Sequence, residues 1–483
     1  MSLNGGMTHQ SLAVVVLAAG QGTRMKSARA KVLHTLSGTP LIGHVLSTAA
    51  ALEPDHIAVV VRHHREAVAE AIAEFVENAI IVDQDDIPGT GRALELALAA
   101  LPPTFSGQVV VISGDVPLLD SDTLSAVLHH HREQGSTLTL MSTTPANPTG
   151  YGRVVRGPEG NILRVVEEAD ASFEEKALSE VNAGAYVMER EAVSAALLTL
   201  SSSNAQGEKY LTDVVEALVA AGNPVSGVLV EDSWLLEGIN DRAQLSDAQA
   251  RLTAMTIRGW QLLGVTVHDP ASCVIDLEVE LAPDVELLPG VQLHGATRID
   301  SHAVIGPDCT LRDTVVESHA RVVRTHAEGA HIEEGATVGP FSYLRAGAVV
   351  GIDGKVGAFV EIKNSTLHRG VKVPHLSYIG DADIGEGTNI GAGAITANYD
   401  GVTKHRTTIG SHVRTGSHTV FVAPVELGDG SYTAAGAVIR RSVAPGALAI
   451  SVASQRNHEG WVEHNREGSP SATAAKAAKE SKK

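Results

Sequence analysis

The chain has 483 residues, enough for two to three domains with cores of their own. Its formal net charge of -19 argues against nonspecific binding to nucleic acid or anionic membrane, since both reward a basic surface. There is no apolar run of the roughly 18 residues a membrane span needs, and aromatics at 3% leave the cores to Ala, Val, Ile and Leu.

Residues 1–10 lack the basic start and apolar segment of a secretory signal, and Met1 and Met7 both stand as candidate starts. The two cysteines, Cys273 and Cys309, form no disulfide framework and suggest a reducing compartment. The expected location is the cytoplasm.

Residues 11–239 alternate short β-branched runs with helical stretches. The runs Ala13–Leu17, Ile57–Val61, Val109–Ile112 and Leu138–Met141 read as buried strands. Buried strands alternating with helices predict an open, mostly parallel α/β sheet of Rossmann-like type. The first strand runs into Leu17-Ala18-Ala19-Gly20-Gln21-Gly22-Thr23-Arg24-Met25, with Lys31 following. Small residues after a strand let free N–H groups approach a phosphate, and Arg24 and Lys31 place positive charge beside it. Asp115 follows the apolar run Val109–Ile112, at the carboxyl edge of the sheet where open α/β folds bind ligands. Its carboxylate suits Mg²⁺, which takes few protein oxygens and several from phosphate.

Residues 240–263 predict a connecting helix. Leu245, Ala248, Leu252 and Met255 follow helical spacing, and from Asp241 to Leu263 there is no Pro.

From 264 to 461 apolar residues recur every six positions: Ile275, Leu281, Leu287, Leu293, Ile299, Ile305, Leu311. A second run takes Ile332, Val338, Leu344, Val350, Val356 and Ile362, and a third Ile384 and Ile390. A fourth holds Ile409, Phe421, Leu427 and Ile439, with Thr415 and Thr433 in the intervening slots. Neither a helix nor an isolated hairpin has that period. A parallel β-helix does, with one short strand and one corner per unit and Gly, Asn or Asp at the corners. The period breaks around 363–383 and 397–408, which predicts two inserts projecting from the coil. Residues 462–483 are Ala, Lys, Ser and Glu with little to bury, and read as disordered.

Further strings follow in chain order: Gln84 before Gly89-Thr90-Gly91, Ser113-Gly114-Asp115-Val116-Pro117, Gly150-Tyr151-Gly152-Arg153, Val166-Glu167, Val181-Asn182-Ala183-Gly184, Tyr210-Leu211-Thr212-Asp213 and Glu237-Gly238-Ile239-Asn240. With the first-strand motif, this set resembles the bifunctional N-acetylglucosamine-1-phosphate uridyltransferase / glucosamine-1-phosphate N-acetyltransferase family, over roughly residues 11–461. The resemblance implies uridylyl transfer from UTP to N-acetylglucosamine 1-phosphate. Leu17, Ala18, Ala19, Gly20, Lys31, Gln84, Gly89, Thr90, Ser113, Gly114 and Asp115 would take the nucleotide. Gly152, Glu167 and Asn182 would take the sugar, and Asn240 would be the second Mg²⁺ ligand beside Asp115. Lys31 and Arg24 would neutralise charge. Ala183 stands where many relatives carry Thr.

For the coil, the resemblance implies a left-handed helix, an exception to the usual right-handed crossover. It also implies assembly as a homotrimer and acetyl transfer from acetyl-CoA to glucosamine 1-phosphate. That reaction needs a proton acceptor, which His375 supplies within Pro374-His375-Leu376-Ser377-Tyr378. Arg345 and Lys363 suit the phosphate. Tyr378, Asn389, Asn398, Tyr399 and Lys404 would complete the sugar site, and Ala392, Ser417 and Ala435 would line the acetyl-CoA cleft. Relatives can carry an Arg where this chain has Val452, with Arg456 four residues on. The alternative is a single-activity nucleotidyltransferase whose β-helix only trimerises or regulates. A scaffold for RNA or membrane conflicts with the charge.

Overall fold

The computed structural model describes residues 11–481, so the reading of residues 1–10 lies outside them. The chain divides into two units. One comprises residues 11–262 with Val274–Val279, the other Leu263–Cys273 with residues 280–481. The six residues 274–279, counted with the coil on sequence grounds, belong to the first unit, where Leu277 N donates to Ser37 O.

The first unit is a sheet clothed by helices. In chain order it contains β1 (Leu12–Leu17), α1 (Leu41–Ala50), β2 (His56–Val61), α2 (Arg65–Phe75), β3 (Ile80–Asp83), α3 (Thr90–Ala100), β4 (Gln108–Ser113), α4 (Ser121–Gln134) and β5 (Leu138–Thr143). Then come β6 (Arg153–Arg156), β7 (Ile162–Val166), β8 (Val181–Glu189), α5 (Arg190–Thr199), α6 (Asp213–Ala220), β9 (Val225–Leu229) and α7 (Arg242–Leu262). The sheet order is β9-β5-β8-β4-β1-β2-β3, with β6 and β7 branching from β8. The pairings of β1 with β2 and β4, of β2 with β3 and of β5 with β9 are parallel; β8 runs antiparallel between β4 and β5. The strand alternation sorts side chains to two faces. Val14, Val16, Val59, Val110 and Ile112 pack in one core with Ile42, Val45 and Leu46 of α1 and Leu124 and Val127 of α4. Ala13, Val15, Val60, Val109 and Val111 pack in the other with Leu94, Ala97 and Leu98 of α3. The expected connecting helix is α7. Its Ala248 is buried, and Leu245 and Leu252 pack against Leu36, Leu41 and Ile239.

The second unit is a left-handed parallel β-helix of three sheets. One face stacks Leu287, Ile305, Val322, Val338, Val356 and Val373 in register. The next stacks Leu293, Leu311, Ala327, Leu344, Ile362 and Ile379. The third stacks Leu281, Ile299, Val316, Ile332, Val350, Leu367, Ile384, Ile409 and Leu427. These side chains are almost wholly buried, and they make a continuous aliphatic column.

Two expectations need correction. Residues 363–383 are not an insert. The strands Glu361–Lys363, Thr366–Leu367, Lys372–His375, Tyr378–Gly380 and Ala382–Ile384 carry the coil through without interruption. The inward residue after Ile362 is Leu367, so one corner is a residue shorter and the strict six-residue count loses phase. The break at 397–408 is a true insert: Tyr399 and Lys404 pair antiparallel within it before the coil resumes at Thr407–Ile409. The tail is not structureless either. Pro470–Glu480 is a helix, capped by Ser469, whose Oγ accepts from Ala472 N at 3.2 Å, with Pro470 in its first turn. The Ala-rich stretch forms on local propensity and capping, which a search for buried apolar residues overlooks. Among the described residues, no helix is long and apolar enough to cross a membrane.

Candidate active sites

In the first unit the register of β1 with β4 pairs Leu17 with Ser113, so the two following loops emerge side by side. Gly114 N donates to Leu17 O at 2.9 Å, and Ala18 N to Val60 O at 2.9 Å. A Cβ on Gly114 would lie 3.0 Å from the Ala18 Cβ, so the close approach favours glycine. The loops border a cavity of about 300 Å³ lined by Leu17, Ala18, Ala19, Gly20, Lys31, Gln84, Gly89, Thr90, Ser113 and Asp115. Gly114 is not one of the residues that line it. Arg62, His63 and Glu208 also line it, and sequence reasoning missed them because they belong to no motif.

Gly22, in the left-handed region at φ 65°, opens the short turn Thr23–Met25. A Cβ there would lie 2.5 Å from the Lys31 Cβ, so this glycine makes room for the lysine. Lys31 is 10% exposed and its ammonium donates to the carboxylate of Asp115, itself 17% exposed. It also donates to Asn240 Oδ1 at 3.1 Å, and Arg24 Nη2 donates to the same oxygen at 2.9 Å. Ile239 N bonds Asp115 O at 2.8 Å, which anchors Asn240 beside Asp115. Two cations and two side-chain oxygens therefore converge here, and of these residues Lys31 and Asp115 line the cavity.

Gly152, Glu167 and Asn182 form a neighbouring group. Asn182 N donates to Gly152 O at 2.8 Å, and a Cβ on Gly152 would lie 3.5 Å from Glu167 Oε2. Asn182 Nδ2 donates to the buried Tyr186 hydroxyl at 2.7 Å, while its Oδ1 is buried with no partner among the described residues. Burial holds the Glu167 carboxyl above the usual carboxylate range. The Thr212 hydroxyl, donating at 2.8 Å, opposes the rise, while Asp213, Asp170 and Glu208 reinforce it. The segment 210–212 ties this group to the wall of the cavity, because Leu211 N donates to Thr90 Oγ1 at 3.1 Å.

In the coil, Lys363, Tyr378 and Asn398 meet through a residue the motifs did not single out, Asp381. Its carboxylate accepts from Lys363 Nζ at 3.3 Å, from Asn364 Nδ2 at 2.7 Å and from Asn398 Nδ2, which also reaches the Tyr378 hydroxyl at 3.5 Å. Arg345 is held by Glu361 at 3.0 Å, with its guanidinium 6.0 Å from the Tyr343 ring centre. Ala392, Ser417 and Ala435 stand one per coil at one corner. His418 N bonds Ala392 O at 2.7 Å, and Gly436 N bonds Ser417 O at 2.8 Å. Val452 continues that corner, with its Cγ1 3.5 Å from where a Gly436 Cβ would lie. His375 ends its strand with an exposed side chain. Asn389 lies on the face of Lys372 and Arg414. Tyr399 is exposed, and its hydroxyl donates to Gly401 O at 2.6 Å. Among the described residues, no hydrogen bond joins the side chains of His375, Asn389, Tyr399 or Lys404 to the Asp381 group.

An α/β unit with a glycine-bearing loop and a paired Lys–Asp at its strand ends, followed by a β-helix, defines the class: a nucleotidyltransferase carrying a hexapeptide-repeat domain. A family model described as a MobA-like NTP transferase domain matches residues 14–190. The chain is 57% identical over 469 residues to a protein named Bifunctional protein GlmU from Leifsonia xyli subsp. xyli, covering 97% of this chain and 96% of that one. It is 54% identical over 475 residues to the protein of that name from Clavibacter sepedonicus, covering 98% and 96%, and 52% identical over 469 residues to that from Mycolicibacterium gilvum, covering 96% and 94%. The chain belongs to the family of bifunctional GlmU proteins.

Proposed function

We propose that each unit carries one transferase reaction of UDP-N-acetylglucosamine synthesis. In the coil, the amine of glucosamine 1-phosphate attacks the thioester carbonyl of acetyl-CoA. A C–N bond forms, the C–S bond breaks, His375 takes the ammonium proton and CoA leaves as the thiol. Arg345 and Lys363 hold the sugar phosphate, and Tyr378, Asn389, Asn398, Tyr399 and Lys404 complete the sugar site. Ala392, Ser417 and Ala435, small side chains at one corner of successive coils, line the cleft for acetyl-CoA.

In the α/β unit, a phosphate oxygen of N-acetylglucosamine 1-phosphate attacks the α-phosphorus of UTP. The new P–O bond forms as the α–β bridge breaks, and pyrophosphate leaves. The nucleophile is already an anion, so catalysis is positioning and charge neutralisation. Lys31 and Arg24 neutralise phosphate charge. Gln84, Gly89 and Thr90 wall the base, and Gly152, Glu167 and Asn182 hold the sugar. The unpartnered Asn182 Oδ1 is an acceptor for a sugar amide or hydroxyl. The observation that carries this reading is the convergence of Asp115 and Asn240 on the Lys31 ammonium. Two hard oxygens that share one cation suit Mg²⁺, and these residues would hold it. When bound, it supplies positive charge to the phosphates of UTP.

The assembly is a homotrimer in this reading. Phe341, Phe359 and Leu376 occupy left-handed corners along one edge, 53%, 61% and 63% exposed, and the two rings stack 5.4 Å apart. An exposed apolar ridge of this kind marks an interaction surface. UTP and acetyl-CoA place the work in the cytoplasm, consistent with the two free, buried thiols. The partners are these small molecules, with no nucleic acid or membrane.

The test is two assays on one preparation: thiol release from acetyl-CoA with glucosamine 1-phosphate, and Mg²⁺-dependent pyrophosphate release from UTP with N-acetylglucosamine 1-phosphate. Both are expected. Pyrophosphate release without thiol release would leave the β-helix a structural domain.

A further inference from the structure

Asp381 sits at a coil corner in the left-handed region, φ 50°. The turn itself does not call for a carboxylate. Gly329 and Asn364 fill the same corner in earlier coils at φ 58° and 45°. Their N–H groups bond one coil back, to Arg312 O and Ala346 O, as Asp381 N bonds Lys363 O. What distinguishes Asp381 is its side chain, only 11% exposed, which gathers donors from Lys363, Asn364 and Asn398. Those residues come from the coil before it and from the root of the 397–408 insert. Gly380 keeps the room. A Cβ there would lie 2.4 Å from the Tyr378 hydroxyl and 2.9 Å from Asn398 Nδ2. Burial alone would raise the Asp381 carboxyl. The bonds from Asn364, Asn398 and Lys363 outweigh it and hold the pKa below the usual range, so the group stays ionised.

We propose that Asp381 is a positioning residue of the acetyl-transfer site, fixing Lys363 and Asn398 relative to one another so that both engage glucosamine 1-phosphate. This rests on the reading that Lys363 and Asn398 bind that substrate. A carboxylate beside Lys363 reduces its net attraction for phosphate, so the benefit is orientation. Without Asp381 a long, flexible lysine and an amide at the root of a hairpin have to be ordered by the substrate itself.

The experiment is steady-state acetyl transfer on the full-length protein, followed by thiol release. Asp381→Asn is expected to raise KM for glucosamine 1-phosphate at least about tenfold while leaving KM for acetyl-CoA within about twofold. Asp381→Glu keeps the charge on a longer arm and raises KM less, which supplies the readout if the Asn variant folds poorly. In a Lys363→Met background, Asp381→Asn adds less than about a further twofold, because the two act as a unit. A lowered melting temperature with the sugar KM of Asp381→Asn and Asp381→Glu unchanged would overturn the proposal, making Asp381 a staple between coils. Fully additive effects with Lys363→Met would overturn it too. If Lys363→Met and Asn398→Ala leave the sugar KM unchanged, the assignment of those ligands fails, a result distinct from failure at Asp381 alone.

Discussion

Gly89→Ala probes the wall of the proposed nucleotide cleft. Gly89 stands just before α3 at φ 117° and ψ 149°, a region open in practice only to glycine. A Cβ there would lie 2.3 Å from Lys209 O and 2.5 Å from Lys209 N, both backbone atoms with no flexible end to swing aside. Relief requires the loop to part from residue 209, giving up the bonds Lys209 N to Pro88 O at 3.0 Å and Gly91 N to Lys209 O at 2.8 Å. Backbone strain of about 1–3 kcal/mol and about 1 kcal/mol for each bond sum to roughly 3–5 kcal/mol. That is below the 5–15 kcal/mol typical of a whole domain, so the unit stays folded and the loop shifts. The loop carries Thr90 and the backbone oxygen that Gln84 Nε2 bonds at 3.2 Å, so the proposed base pocket shifts with it. Each 1.4 kcal/mol lost from binding is about tenfold. KM for UTP in the pyrophosphate assay is expected to rise at least about tenfold, with thiol release as the folding control. An unchanged KM for UTP would refute the reasoning, showing that residues 84–90 do not bound the nucleotide.

Asp115→Ala is expected to abolish Mg²⁺-dependent pyrophosphate release and spare thiol release; equal loss of both would indicate misfolding. Glu167 has a raised carboxyl pKa in the fold, so its contribution to stability is fully present below the ordinary carboxylate range and lost as pH rises through the raised value. Glu167→Gln should therefore melt higher than the parent at pH above the raised value, with the gap closing in acid. A constant gap at all pH values would contradict the assignment of burial as the cause. Phe421, wholly buried in the coil between Thr396 and Ile439, should cost about 3–5 kcal/mol when cut to Ala, read from urea unfolding of the coil.

The strands of the α/β unit were legible because β-branched runs such as Val109–Ile112 can be little else, and the loop motifs fall where those strands end. The coil was legible from its period, but five-residue steps throw a strict count of six out of phase, and the one from Ile362 to Leu367 made continuous coil look like an insert. Asp381 was hidden for a related reason. Aspartates at positive φ recur at corners, as at Asp284, Asp308, Asp313 and Asp353, and sequence cannot separate a corner from a hub. The meeting of Lys363 with Asn398 depends on which corners stack, and that is set by coil lengths rather than by any local signal. The helix Pro470–Glu480 leaves little trace in a pattern of buried apolar residues, because its signals are a cap and a run of alanines.

The central claim, that one chain holds two separate transferase sites, is tested most directly by His375→Ala assayed in both reactions. Loss of thiol release from acetyl-CoA with glucosamine 1-phosphate is expected, with pyrophosphate release at the parent rate. Thiol release undiminished in the variant, or absent already in the parent, would contradict it.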